Sequence, residues 1–157
     1  MASAVDTQHV RAKNKIEMWD HDPNGTSAAV TTPDAGTTER WFDMRDFSNF
    51  LVSAMSSALT GAGISLLEIV AADDTAGTNV TQVKTSGAIV ADAVGDWATL
   101  ECSAEEVRDL AANAGTTLRY VAARLTMVNA ADEAVVMYMG CGARFPRNDL
   151  TPATTIA

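Results

Sequence analysis

Histidine is nearly missing from this 157-residue chain: His9 and His21 are the only two, and both fall in the first twenty-one residues. A Ser-His-Asp or Cys-His system would have to swing a residue of that N-terminal stretch over the rest of the fold, so the composition speaks against a hydrolase and the chain is expected not to be an enzyme. Cysteine is almost as scarce. Cys102 and Cys141 have no histidine beside them and read as reduced core residues, since disulfides are rare in the cytosol, but the sequence leaves open whether they pair. Basic residues number 11 against 20 acidic, for a net charge of −9, which excludes a protein whose main partner is a phosphate backbone. No run approaches the roughly 20 apolar residues that span a bilayer. Met1-Ala2-Ser3-Ala4-Val5-Asp6 lacks the basic and apolar regions of a secretory signal, so the chain is expected to be made and kept in a cytoplasm. Asn24-Gly25-Thr26 and Asn79-Val80-Thr81 are then chance sequons.

What is present is a dense β pattern, clearest between Gly95 and Phe145. Trp97 to Cys102 reads as a strand. Ser103-Ala104-Glu105-Glu106 has the Ser-x-x-Glu form of a capping box and predicts a short helix, closed at Asn113-Ala114-Gly115 by a glycine free to take the left-handed conformation. Leu118 to Val128 and Glu133 to Tyr138 follow as two β-rich runs around Asn129-Ala130-Ala131-Asp132, the pattern of a hairpin.

Upstream, Lys15 to Trp19 alternates like a half-buried strand, while Asp22-Pro23-Asn24-Gly25 and Thr31 to Gly36 carry turn chemistry. Phe47 to Leu59 fits both a helical stripe and a strand face, and is read as a strand. Gly61-Ala62-Gly63 joins it to a β run from Ile64 to Ala71, again as in a hairpin, and short strands are expected at Val80 to Lys84 and Ala88 to Ala91. About eight strands and one helix, without βαβ alternation, predict an antiparallel β-sandwich of jelly-roll type. Its expected organisation is an N-terminal arm and first strand over 1–40, a sandwich core over 41–146 and a tail over 147–157.

One pattern bears on function. Leu118 to Val128 carries Val121, Ala123, Leu125 and Met127 on one face and Tyr120, Ala122, Thr126 and Val128 around Arg124 on the other. Glu133 to Tyr138 likewise sets Val135 and Met137 against Val136 and Tyr138. Strands apolar on both faces are covered on both, by the helix, by an arm or by another protomer.

Other motifs are weaker. Asp20-His21-Asp22-Pro23-Asn24-Gly25 opens like a calcium loop, but Thr31 stands where a bidentate Glu belongs, so no metal and no cofactor are expected. Gly61-Ala62-Gly63 lacks the rest of a nucleotide-binding loop. Trp19, Trp41 and Trp97 could form a sugar platform, though large aromatics in a small sandwich more often anchor cores or interfaces. Arg144-Phe145-Pro146-Arg147 has the composition of an interface anchor or of a solvated tail. The candidate interface set is therefore Trp19, Trp41, Tyr120, Arg124, Val136, Tyr138, Arg144, Phe145 and Arg147.

With Asp96 to Glu106, Leu118 to Arg124, Glu133 to Tyr138 and Ala143 to Arg147 in view, the chain resembles the small virion structural proteins of tailed bacteriophages, in the style of the head decoration or cement proteins. The resemblance lies in size, acidity, Ala/Thr/Val-rich strands and polar arms. It implies a β-rich protomer, commonly a homotrimer, that reinforces a capsid by bridging major capsid protein subunits; the charge and the absence of long apolar runs add the expectation of no direct contact to nucleic acid or membrane. A neck, tail or minor capsid component would share these features, and a carbohydrate- or receptor-binding module is the alternative. Met1 to Asn14 and Thr151 to Ala157 are expected to order on neighbouring subunits.

Overall fold

The computed structural model of the protein describes residues 15–21, 30–31, 41–60, 63–129 and 131–144. Both arms, the Asp22-Pro23-Asn24-Gly25 turn with its incomplete calcium loop, and Phe145 and Arg147 lie outside these residues.

Alternation decides the segment that the sequence left between helix and strand. Phe50, Val52, Ala54 and Ser56 are buried while the residues between them are not, a period of two that only a strand produces. This strand, Asn49–Ala58, is the fourth of nine among the described residues. The set is β1 (Lys15–His21), β2 (Val30–Thr31), β3 (Phe42–Asp43), β4 (Asn49–Ala58), β5 (Ile64–Ala72), β6 (Thr81–Thr85), β7 (Trp97–Ser103), β8 (Tyr120–Met127) and β9 (Glu133–Cys141), with helix α1 (Ala104–Ala114) between β7 and β8.

One sheet runs β1-β9-β4-β7 and the other β2-β8-β5-β6, with β3 pairing on the same strand β8. All pairings are antiparallel. Strand β1 pairs with β9, β2 and β3 with β8, β4 with β7 and β5 with β6, so the chain is one long hairpin whose arms are wound across two sheets. That nesting is the jelly-roll topology, and the protein is an antiparallel β-sandwich of this type, with one helix among the described residues.

The topology corrects both expected hairpins. β4 and β5 belong to different sheets, and so do β8 and β9. The connection at Gly63 and the one around Asn129–Asp132 therefore cross the sandwich instead of turning within a sheet. The reason is energetic: an in-sheet hairpin would align the apolar stripes of β8 and β9 side by side, whereas crossing sets Val121, Ala123 and Leu125 to face Ala134, Val136 and Tyr138 through the core. A buried carboxylate ties these two crossings together. Asp132 accepts the backbone N–H groups of Thr60 at 2.6 Å and of Gly63 at 2.9 Å. Gly63 has φ +67°, and a Cβ there would stand 1.9 Å from the Ala91 carbonyl oxygen, so no other residue fits. Two smaller expectations also change. Ala88 to Ala91 contributes a single bridge, Ile64↔Ala91, and not a strand, and Thr31 pairs with Leu125 in β2 where an irregular stretch was expected.

The core is aromatic at one end. Phe42 packs on Phe47, Phe50 and Tyr138 with ring centroids 5.4 to 5.7 Å apart, and Phe50 meets Tyr138 edge-on at 4.9 Å, the tilted geometry that aromatic quadrupoles favour. Gly140 makes room for this cluster, since a Cβ there would lie 2.9 Å from Phe42 and Phe47. Helix α1 forms where its caps predict. The Ser103 side chain accepts from Glu106 N, Glu106 answers to the Ser103 N–H, and Gly115 closes the far end at φ 65°. Ala104, Val107 and Ala111 are the helix residues turned into the core, and Lys84 of β6 reaches Glu106 at 2.6 Å, linking the helix to the edge of the second sheet.

Candidate docking surface

Register places the outward residues of the β1-β9-β4-β7 sheet in rows. Val135, Met55 and Trp97 stand side by side across β9, β4 and β7; Met18, Met137, Ser53 and Thr99 form the next row; Ile16, Met139, Leu51 and Glu101 form the third. Eight of these eleven side chains are apolar. Met18 is 65% exposed, Trp97 69%, Ile16 53% and Met55 42%, and Val135, Met137, Met139 and Leu51 are half-buried. The polar members are few: Thr99 and Ser53 hydrogen-bond each other at 3.2 Å, and Glu101 sits at the edge strand.

With Asp20 of β1 in register beside Val135, the three rows over four strands span about 19 by 20 Å, and the apolar positions that dominate them are of the kind that often forms a monomer's working surface. Four of the seven methionines lie here. Their unbranched thioethers adapt to irregular partner surfaces where a branched side chain could not.

The opposite outer face differs. There Arg124 of β8 grips Glu68 of β5 across the strands, Nε to Oε2 at 2.6 Å and Nη2 to Oε1 at 2.9 Å, the two-pronged geometry that makes guanidinium–carboxylate pairs strong. Val70 and Ala72 on the same face are fully buried. Trp41, itself 4% exposed, lies one residue before the Phe42↔Val121 pair, and a Cβ at Gly77 would stand 3.7 Å from its ring. This face is covered by its own chain.

The expected interface residues divide accordingly. Trp41, Val136 and Tyr138 are core residues, with Tyr138 Oη held against the Ala123 N–H, so none is available to a partner in the folded protomer. Tyr120 is half-buried and its ring carries the Arg119 guanidinium 4.5 Å from the centroid. Arg124 is engaged with Glu68. Arg144 is exposed. Trp19 pairs with Val136 in the backbone register; its side chain lies outside the described residues, as do Phe145 and Arg147. The sequence reading missed Ile16, Met18, Met55 and Met139. Their signal was legible as alternation in β1 and β4, but which parity faces outward follows only from the sheet pairing.

A second concavity lies at the other end of the sandwich, between α1 and the start of β8. It encloses about 260 Å³ and has Met44, Val107 and Leu118 on its floor. Arg45, Arg108, Arg119 and Arg144 stand at its rim. Arg119 and Arg45 share Asp43, whose carboxyl burial alone would push up; their hydrogen bonds outweigh burial and hold it below the ordinary carboxylate range. A third, open groove of about 560 Å³ runs beside Trp97 and Thr99. Among the described residues no three His, Cys, Asp or Glu side chains converge to hold a metal ion, and no helix is long and apolar enough to cross a membrane. Cys102 and Cys141 are both free, one pointing into the core and the other lying on the outward parity of β9.

No protein-family model matches the sequence, nor does any curated protein. Among solved structures, the chain is similar to the pilus of Bacillus endospore appendages, a disulfide-linked pilus, at 18% identity and TM-score 0.37, covering 83% of this chain and 87% of that one. It is similar to the CBM22-1–GH10 modules of Clostridium thermocellum xylanase 10B, solved with xylohexaose, at 11% identity and TM-score 0.41, covering 87% of this chain and 27% of that one. It is also similar to the VP2 subviral particle of infectious bursal disease virus, at 10% identity and TM-score 0.39, covering 85% and 35%. The chain thus spans about a third or less of the length of the xylanase and the VP2 chain.

Proposed function

We propose that this protein is a non-enzymatic structural subunit of a tailed-phage virion, of the head-decoration type, which seats the outer face of its β1-β9-β4-β7 sheet on the major capsid protein. The observation that supports this reading is the exposed apolar row structure of that sheet, set against an opposite face that the chain covers itself. A protein that works by burying area needs a rigid frame and a patch that water leaves readily, and a jelly roll with a methionine-rich outer sheet supplies both. Made in the host cytoplasm, the subunit would end on the particle.

The test is co-expression with the major capsid protein encoded in the same genome, followed by gradient sedimentation. The native chain should travel with the shells, and Met18→Asp/Met137→Asp should stay at the top of the gradient while remaining folded. A native chain that never travels with shells overturns the reading.

A second reading rests on Trp97. Its indole is 69% exposed and stands at the open groove with the hydroxyl residues Thr85, Ser86 and Thr99, a partial match to an aromatic platform for a sugar ring. Quenching of tryptophan fluorescence by an oligosaccharide, lost in Trp97→Ala, would favour this reading; a blank glycan array would end it.

A further inference from the structure

We infer that the arginine-rimmed groove beside α1 receives the β6–β7 loop of a second copy of this chain, joining protomers head to tail. The groove is unusual for its charge. The chain carries −9 overall, yet four of its eleven basic residues stand around this one concavity of about 260 Å³. Asp43 occupies two of them, Arg45 and Arg119. Arg108 has only an exposed contact to Glu105 at 3.5 Å, and Arg144 has no ion pair among the described residues. The rim is therefore cationic and the floor, built by Met44, Val107 and Leu118, apolar.

The loop has the complementary form. Asp92-Ala93-Val94-Gly95-Asp96 projects Val94, 66% exposed, between two carboxylates. Its shape is fixed from within: Asp96 accepts the Ala93 N–H at 3.1 Å, and the loop's backbone is tied to Ser56 on both sides, Gly95 N to Ser56 O at 2.8 Å and Ser56 N to Asp96 O at 2.9 Å. It is an apolar tip with an acidic collar, held rigid, so that docking costs little ordering entropy. Volume agrees, since a cavity of about 150 Å³ already holds a benzene ring and the groove exceeds that.

Loop and groove lie at opposite ends of β7, one before Trp97 and the other after Ser103, about 23 Å apart. A protomer cannot fill its own groove. The contact is heterologous: it closes into a ring when the rotation between copies allows and extends when it does not. This inference is independent of the proposed capsid contact, which uses the sheet face between the two ends.

Light scattering on the purified full chain, with two charge-reversed variants on exposed residues, tests it. The native protein should show a mass that is a multiple of 16.5 kDa and falls as salt screens the contact. Arg108→Glu/Arg144→Glu and Asp92→Lys should each run as monomers with unchanged circular dichroism. Mixing the two should restore association, because the native loop of one variant meets the native groove of the other while the altered loop meets the altered groove. The inference is overturned by a native monomer at concentrations up to about 1 mM, by association that survives both reversals, or by a mixture that stays monomeric. Met18→Asp/Met137→Asp separates the two readings: it should lose shells and keep self-association, while the groove variant loses self-association.

Discussion

The two outer faces of this sandwich begin from similar sequence and end differently. Strand β8 offers Tyr120, Ala122, Arg124 and Thr126 outward, and β9 offers Val135, Met137 and Met139, so both read as strands with two apolar sides. On β8 the chain finishes the job itself. Arg124 is bound by Glu68, and Val70, Ala72 and Trp41 are buried. In the sheet of β9 the described residues leave Ile16, Met18, Met55 and Trp97 exposed on the outward side. A two-sided apolar strand therefore has two physical explanations, self-coverage and an unfilled partner site, and the difference between them is made by loops and cross-strand charges lying far away in sequence.

The sharpest break of that comparison uses adjacent residues. Val136 is 2% exposed and points into the core, whereas Met137 points outward. Val136→Asp buries a carboxylate without a partner, a cost of roughly 3 to 5 kcal/mol or more against a total stability of about 5 to 15 kcal/mol, and should leave the chain largely unfolded. Met137→Asp should shift the urea midpoint by less than about 1 kcal/mol in stability while abolishing shell binding. Equal destabilisation by the two would mean that the outer face is covered.

Next in size is the ion pair that distinguishes the covered face. Glu68 is nearly buried and Arg124 is partly open to water, so Arg124→Met should cost about 1 to 2 kcal/mol by leaving the carboxylate without its guanidinium. Replacing both, Glu68→Leu/Arg124→Leu, should recover most of that loss in thermal melts. It should also make this face behave like the other, with new self-association visible by light scattering. If the double variant is no stickier than the native chain, the ion pair is not what keeps this face from association.

Local chemistry was well written in the sequence, and long-range pairing was not. The Ser103–Glu106 capping box and Gly115 gave the helix within a residue, because caps depend on neighbours. The runs Phe47 to Leu59, Ile64 to Ala71 and Trp97 to Cys102, read as strands, hold β4, β5 and β7. The expected hairpins fail because short loops are shared by in-sheet turns and sheet-to-sheet crossings, and what tells them apart is long-range: Tyr138 of one sheet meets Phe42 of the other through the core. Val136 and Tyr138 were taken for interface residues for the same reason: strand parity is visible in a sequence, but which parity faces the core is a property of the sheet.

Acid should weaken the end of the molecule that holds the groove before it affects the apolar sheet face. The Asp43 carboxyl is held below its ordinary value, so its ionised form binds Arg119 and Arg45 only in the folded state. A depressed carboxylate contributes stability that is fully present above the unfolded value of about 3.9 and is lost as pH falls through the lower folded value. Stability should therefore drop below about pH 4, by about 1 kcal/mol from this site, given its partial exposure. Arg119→Met should flatten that part of the pH profile, and an unchanged profile would show that Asp43 is not responsible.

The smallest effect is a readout of the two cysteines. Cys102 faces the core, where burial, reinforced by the neighbouring Glu106 carboxylate, pushes its thiol up to about 12; at pH 8 only about one part in 10⁴ is thiolate, and thiolate is the reactive form. Cys141 lies on the outward side of β9 in register with Asn49, and burial raises it as well, but it is half-open to solvent. A thiol reagent should therefore modify Cys141 slowly and Cys102 only after denaturation. Because Cys141 follows Met139 on the same outward parity, its rate also reports on the apolar face. Assembly onto shells should slow Cys141 severalfold and leave the groove charges untouched, whereas a Cys141 rate identical in free and shell-bound protein would place the contact on some other surface.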